Sequence, residues 1–313
     1  MTKQKKQHII PNCYLKAWCD PNIPSGQSAF IWRVPKDGGK SFRRSPEKSF
    51  TSTDRYTIQL PNGERDLTLE DTLADLESKF VQIRDRIKRR DKLTDTDRAN
   101  LCLFTAGMHG RTYDAGEHWR KTQQRVHDVV VDLEHAHGST PKTSLETAAL
   151  LAIAPQHRLI LGLKHEAPIY FQMEMTFMVA DDPIGFITSD SPCSWYNPKA
   201  HTLPPFYRSP GLAHKDIEVT MPITPQIIML ISHHKFEPYM PVGSFFVDQV
   251  NHRTRAFADK EFVSWKGKTK PEWFVPYEMP PDSWENTETG KRALHERAER
   301  ERMFDQKDHR EES

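Results

Sequence analysis

Thr68-Leu69-Glu70-Asp71-Thr72-Leu73-Ala74-Asp75-Leu76-Glu77-Ser78-Lys79-Phe80-Val81-Gln82-Ile83-Arg84-Asp85-Arg86-Ile87 is the stretch that decides the fold class. Its large apolar residues Leu69, Leu73, Leu76, Phe80, Ile83 and Ile87 recur at spacings of 4, 3, 4, 3 and 4. That period lays one apolar stripe along a helix of about 68–91, with Thr68 to Asp71 forming its capped end. Burying such a set of side chains contributes roughly 9–18 kcal/mol before conformational entropy is subtracted. The stripe lasts only about three heptads, so it reads as a core-packing helix rather than an extended coiled coil.

A second helical stretch begins near Thr94–Asp97 and reaches toward Glu134, with Gly107, Gly110 and Gly116 as places where it can break. Its stripe runs Leu101, Phe104, Met108, Arg111, Ala115, Trp119, Thr122, Val126, Val129 and Leu133. A third helix spans about Ser144–Leu163, with Pro155 bending or splitting it. On both sides of this helical block the pattern turns to strands. Upstream these are Ala29–Val34, Lys40–Arg44 beyond the Asp37-Gly38-Gly39 turn, and Phe50–Ile58. Downstream of Pro168 they are Tyr170–Val179, Ile184–Thr188, Ile217–Met221 and Ile227–Ser232, then a helix over Phe245–Asp259 and a last strand at Phe262–Trp265. Strands, then long helices, then strands predict an α+β fold: a mostly antiparallel sheet with a helical layer inserted between N-terminal and C-terminal strands. Residues 1–278 are expected to form a single domain, with 279–313 as a charged tail, disordered or helical over Lys291–Phe304. Asn197–Leu212 reads as a loop long enough to serve as a lid or binding loop.

Composition narrows the function classes. Lys plus Arg (44) nearly cancels Asp plus Glu (43), so the net charge near +1 supplies no overall field for nucleic acid or an anionic membrane. A nucleic-acid partner is therefore not indicated by charge. The basic run Arg84, Arg86, Lys88, Arg89, Arg90 and Lys92 reads as a solvated helix end in preference to a phosphate contact. Cys13, Cys19, Cys102 and Cys193 form no Cys-x-x-Cys pair, which speaks against a zinc ribbon or a thioredoxin-type motif. No apolar run follows Lys3, Lys5 and Lys6, and none is long enough to span a bilayer, so a reduced, cytoplasmic protein is expected. A glycine-rich phosphate loop, a Gly-x-Ser-x-Gly elbow and a His-Glu-x-x-His pair are all missing.

Five residues remain as candidates for chemistry. Arg111 stands in the apolar stripe with Gly107 and Gly110 beside it, and an inward guanidinium needs an anionic partner. Glu77, bordering the stripe of the preceding helix, is that partner if the pair ties two helices together; the other reading is a bound anion or substrate. His8 stands before Ile9-Ile10-Pro11 as either a general base, a metal ligand or an interior donor. Asp190 lies in Thr188-Ser189-Asp190-Ser191-Pro192, where a site residue and an Asx-turn residue are both natural. Asn251, near Val247 and Val250, either caps backbone groups or contacts a ligand.

Several elements, taken in order, resemble the domain of unknown function 4238 family. They are His8, Pro11, Tyr14 and Leu15; the Leu69-Glu70 and Leu76-Glu77 pairs; Arg111-Thr112; Thr188 to Pro192; Pro222-Ile223-Thr224-Pro225; and Asn251. Relatives commonly carry Gln where this chain has Gly107, Met108 and His109, and Asn where it has Ser191. The resemblance spans roughly residues 7–265 and implies a fold without implying a reaction. The matched residues include His8, Glu77, Arg111, Asp190 and Asn251, as a composite site would. Such a set suits a nuclease-like phosphodiesterase, with Arg111 stabilising developing negative charge and a divalent metal as the cofactor such chemistry takes. The alternative is a non-catalytic ligand-binding or sensor/adaptor module whose polar centre is structural.

Overall fold

A computed structural model describes residues 6–299 except 21, 22, 24, 25, 61, 63, 209, 210, 279 and 297. The N-terminal elements are β1 (Lys6–His8), the single-turn helix α1 (Asn12–Leu15), β2 (Ile31–Pro35), β3 (Phe42–Arg44), β4 (Thr51–Thr53), β5 (Ile58–Gln59) and β6 (Arg65–Asp66). The helical block comprises α2 (Thr68–Lys88), α3 (Asp95–Gly110), α4 (Tyr113–Ala136), α5 (Thr143–Leu151) and α6 (Pro155–Gln172). After it come β7 (Glu174–Asp181), β8 (Thr188–Ser189), β9 (Ser194–Tyr196), β10 (Glu218–Thr224), β11 (Ile227–Ser232), β12 (Tyr239–Gly243), α7 (Ser244–Phe257) and β13 (Glu261–Ser264). The fold is α+β, with sheets that are mostly antiparallel.

By contact the described residues divide into two units, 1–194 with 219–275, and 195–218 with 276–313. In the larger unit β3, β2, β13 and β8 form an antiparallel sheet in that order, with Phe262 opposite both Val34 and Ser189. A second sheet there runs β12, β7, β11, β10; β11 is antiparallel to β7, whereas β12 is parallel to it. Val247 and Val250 of α7 pack with Met178, Phe186, Ile228 and Leu230. All the stripe residues of α2 are buried, and Phe80 stacks on Phe104 of α3 with ring centroids 4.0 Å apart and planes 7° from parallel. The smaller unit holds the loop expected at 197–212 and the charged C-terminal stretch, tied internally by Arg208–Glu285 at 2.6 Å and His201–Asp282 at 3.1 Å. Residues 288–296 are helical; the part of the expected Lys291–Phe304 helix beyond residue 299 lies outside the described residues.

Several element boundaries differ from their sequence expectation, each for a local reason. The expected strand from Tyr170 is helix as far as Gln172, because Leu159, Leu163, Ala167 and Tyr170 bury one helical face and carry α6 past Pro168. Pro155 sits at the first turn of α6, where its missing N–H costs nothing. Ile184–Thr188 is extended only at its end, since Gly185 turns the chain at φ +73°. Phe50–Ile58 is divided by Asp54 at φ +49° into β4 and β5. β12 was not expected at all: Pro241 hides it, and its place at the edge of the sheet is where a proline is tolerated. The long second helix breaks after Gly110, and the Thr112 hydroxyl caps α4 by accepting from the Ala115 N–H at 3.2 Å. At Gly110 a Cβ would sit 2.8 Å from Leu159 Cδ1, so the glycine serves the close approach of α3 to α6. No described helix is long and apolar enough to cross a membrane.

Candidate functional site

The three segments 7–15, 186–192 and 221–225 meet at one hydroxyl. Pro11 starts α1, whose Tyr14 and Leu15 N–H groups both donate to the Pro11 carbonyl, and that turn drives the fully buried Tyr14 inward. The Tyr14 hydroxyl donates to the Pro222 carbonyl at 2.7 Å, so its other contact, Thr188 Oγ1 at 2.7 Å, must be the donor to it. Burial pushes the Tyr14 phenol well above its ordinary range, against the hydrogen bond from Thr188. It is a fixed hydrogen-bond junction, with no proton to give near neutral pH. Four residues on, Trp18 Nε1 donates to the Phe186 carbonyl at 3.0 Å.

Around Gly185 the same logic recurs with backbone partners. The Phe186 N–H donates to the Pro225 carbonyl at 2.6 Å, and a Cβ at Gly185 would run into that carbonyl. Asn251, fully buried on α7, accepts from the Ile187 N–H at 2.9 Å and donates to the Gly185 carbonyl at 2.9 Å. Its amide thus acts on residues 185–187 as a neighbouring strand would. Asp182 accepts from the Ile184 and Gly185 N–H groups at 2.8 Å each, and Lys270 Nζ lies 3.1 Å from it and 2.9 Å from Asp248. Burial pushes the Asp182 carboxyl up, yet hydrogen bonds from Ser244, Gly185, Ile184 and Lys270 outweigh that and hold it at about 2.

Asp190 is committed in the same way. Its Oδ1 accepts from the Asp259 N–H at 2.8 Å, and its Oδ2 accepts from Lys260 at 2.7 Å and Glu261 at 3.0 Å. The carboxylate therefore seats the start of β13 beside β8. Burial pushes the Asp190 carboxyl above the usual range even with these three donors in place.

Arg111 and the main chain of His8 adjoin a different residue, Tyr56. The Tyr56 hydroxyl donates to the His8 carbonyl at 3.0 Å, and the Arg111 guanidinium lies 5.7 Å from the Tyr56 ring centroid. The His8 ring places Nε2 3.0 Å from the Glu47 carbonyl. Arg111 Nη1 donates to Glu77 Oε1 at 2.9 Å, with the arginine side chain 2% exposed and the glutamate 27%. The pair therefore joins the middle of α2 to the end of α3. Arg111 Nε is buried without a hydrogen-bond partner. Cys13 lies against the Glu77 carbonyl at 3.9 Å; burial, then the Glu77 charge, push its thiol up to about 11, which keeps it protonated and unreactive near neutral pH.

Two sets of residues here were missed in the sequence. Gln7 is buried and accepts from the Tyr56 N–H at 2.7 Å while donating to Glu70 at 2.9 Å and Thr57 at 3.2 Å. Its only signal was a polar side chain directly before His8. His109 Nδ1 lies 3.0 Å from Glu166 Oε2, which also accepts from the Tyr170 hydroxyl at 3.0 Å, fastening α3 to α6. Leu159 and Leu163 on α6 were the visible part of that contact; the polar part had no pattern of its own.

Of the five candidates, Glu77 and Arg111 pair with each other beside Tyr56, His8 meets Tyr56 through its backbone carbonyl alone, and Asp190 and Asn251 are bound to separate backbone stretches. Among the described residues no group of three or more His, Cys, Asp or Glu side chains is placed to hold a metal ion together. An open apolar groove of about 610 Å³ lies elsewhere, lined by Ala149, Ile153, His157, Ile160 and Leu161.

An α+β protein whose motif residues fasten its strands and helices to one another is the class this arrangement defines. Residues 6–267 match the family described as "Protein of unknown function (DUF4238)", and the chain belongs to that family. No curated protein and no solved structure matches it at a significant level.

Proposed function

We propose that this chain works by association, as a non-catalytic sensor or adaptor module whose polar centre is there to hold the fold. One observation carries the reading: both oxygens of Asp190, the carboxylate best placed at a strand end, are taken up by three backbone N–H groups. Three of the roughly four lone-pair sites of a carboxylate are taken in this way, which leaves Asp190 little capacity for a substrate proton or a cation. Asn251 is spent likewise at both ends of its amide.

The phosphodiesterase reading draws on Arg111. Its buried Nε lacks a partner, and the Glu77 carboxylate beside it is 27% exposed, so a phosphate ester arriving there would meet a guanidinium and a carboxylate together.

Asp190→Asn separates the two. The substitution turns one acceptor into a donor facing N–H groups, and should destabilise the fold by about 2–4 kcal/mol. The expected result is a lowered melting temperature, with the parent inert toward bis(p-nitrophenyl) phosphate, DNA and RNA in the presence of magnesium or manganese. A parent that cleaves one of these, and loses that activity in Arg111→Lys at unchanged melting temperature, would replace the association reading with the phosphodiesterase one.

A further inference from the structure

In the hairpin of α4 and α5 the buried residues are polar, while several of its large apolar side chains are exposed. Between the two helices lie Ser144 and Thr147, both buried, with His127 Nδ1 2.8 Å from Thr147 Oγ1. Glu134 Oε1 accepts from the N–H groups of Lys142, Thr143 and Ser144 at 3.1, 2.9 and 3.2 Å. Facing out are Val126, Val129 and Leu133, exposed at 45, 57 and 53%, and Leu145 of α5 at 66%. None of the described residues of α4 is buried. A polar seam inside and an apolar stripe outside is the reverse of what a helix facing water shows, and it marks a surface that is covered in use.

The charges beside the stripe indicate what covers it. Thr122, Val126, Val129 and Leu133, spaced 4, 3 and 4, form a single seam. One flank carries Gln123 and Val130, which are half-buried; the other carries Arg125 and Asp132, seven residues apart and both exposed. Among the described residues neither Arg125 nor Asp132 pairs with an opposite charge. When two copies of α4 are laid antiparallel about a two-fold axis between residues 126 and 129, Val126 meets the second copy's Val129. Thr122 then meets its Leu133, and Arg125 falls opposite its Asp132. The two-fold repeats every one of these contacts, so the seam is complementary to itself in both shape and charge. A membrane surface fits less well, because residues 113–154 carry four basic and six acidic side chains.

We propose that α4 is a homodimerisation helix, pairing antiparallel with α4 of a second copy through the Val126–Val129 seam and two symmetric Arg125–Asp132 ion pairs. This stands on the helical arm alone and is independent of how the polar centre is read.

The test is sedimentation velocity of the full chain between about 1 and 100 µM, with circular dichroism to confirm that each variant keeps its helices. The parent should show a reversible monomer–dimer equilibrium. Arg125→Asp and Asp132→Arg should each weaken the dimer by about tenfold or more, since each sets like charges opposite one another twice. The double variant Arg125→Asp with Asp132→Arg should recover most of the parent's dimerisation, because the pairs re-form with reversed polarity. A parent that stays monomeric across the range overturns the proposal. So does a double variant as weak as the single ones, or a monomeric parent that floats with phosphatidylcholine vesicles.

Discussion

α3 and α4 share one apolar stripe in sequence, yet it behaves oppositely on the two sides of Arg111. In α3, Leu101, Phe104 and Met108 are all but inaccessible; in α4, Val126, Val129 and Leu133 remain about half exposed. Both halves have the helical period and both form helices, so the period reports local conformation faithfully. What it does not report is whether the rest of the chain supplies a cover. α3 has α2, α6 and the ring of Tyr14, 6.4 Å from Phe104. The outer half of α4 has α5 beside it, and polar side chains meet there.

The contrast is broken most sharply by shortening one side chain in each half. Phe104→Ala removes from α3 a ring stacked on Phe80 and should destabilise by about 3–5 kcal/mol. Val129→Ala, measured by urea denaturation at high dilution, should change stability by no more than about 0.5 kcal/mol. Similar losses in the two variants would mean that α4 is covered within its own chain.

A smaller effect sharpens the view that the closed half is pinned by polar fasteners as well as by apolar contact. Asn251→Ala strands the Ile187 N–H and the Gly185 carbonyl in a buried place. The expected loss is about 2–4 kcal/mol. An Asn251→Ala protein with the parent's denaturation midpoint would show that water enters and takes over both bonds.

The smallest expected effect is one that disappears in acid. Asp182 is held at about 2, below the ordinary carboxylate value, so its contribution is present in full above about pH 4 and fades as pH falls toward 2. Asp182→Asn should accordingly be less stable than the parent at neutral pH, and the gap should close in that acid window. A gap that stays constant from pH 7 to pH 2 would show that the charge of Asp182 is not what steadies the Gly185 turn.

How much of this was legible beforehand depended on sequence distance. α2 could be read because six residues of one period lie within twenty positions, and the Arg111–Glu77 pair because a charge interrupted an apolar stripe opposite a neighbouring helix. The partners of Asp190 could not be read: they are backbone N–H groups some seventy residues later, and a backbone group has no sequence identity. The role of Tyr14 was hidden for the same reason, since one of its two partners is a carbonyl. β12 was obscured by Pro241 and Gly243, which are poor strand formers except at an edge. The exposed face of α4 looked like core because nothing in one chain's periodicity says what lies opposite.

The Tyr14 junction also sets a schedule. Its hydrogen-bond partners are 174 and 208 residues further along the chain, so the N-terminal segment cannot reach its final place until residue 222 has left the ribosome. At about 5–20 residues per second, that is a wait of roughly 10–40 s. During it Ile9, Ile10, Leu15 and Trp18, all destined for the interior, can meet β4 and α2 but lack the part of their surroundings that the C-terminal strands supply. The first residues made are thus among the last to have their hydrogen bonds completed.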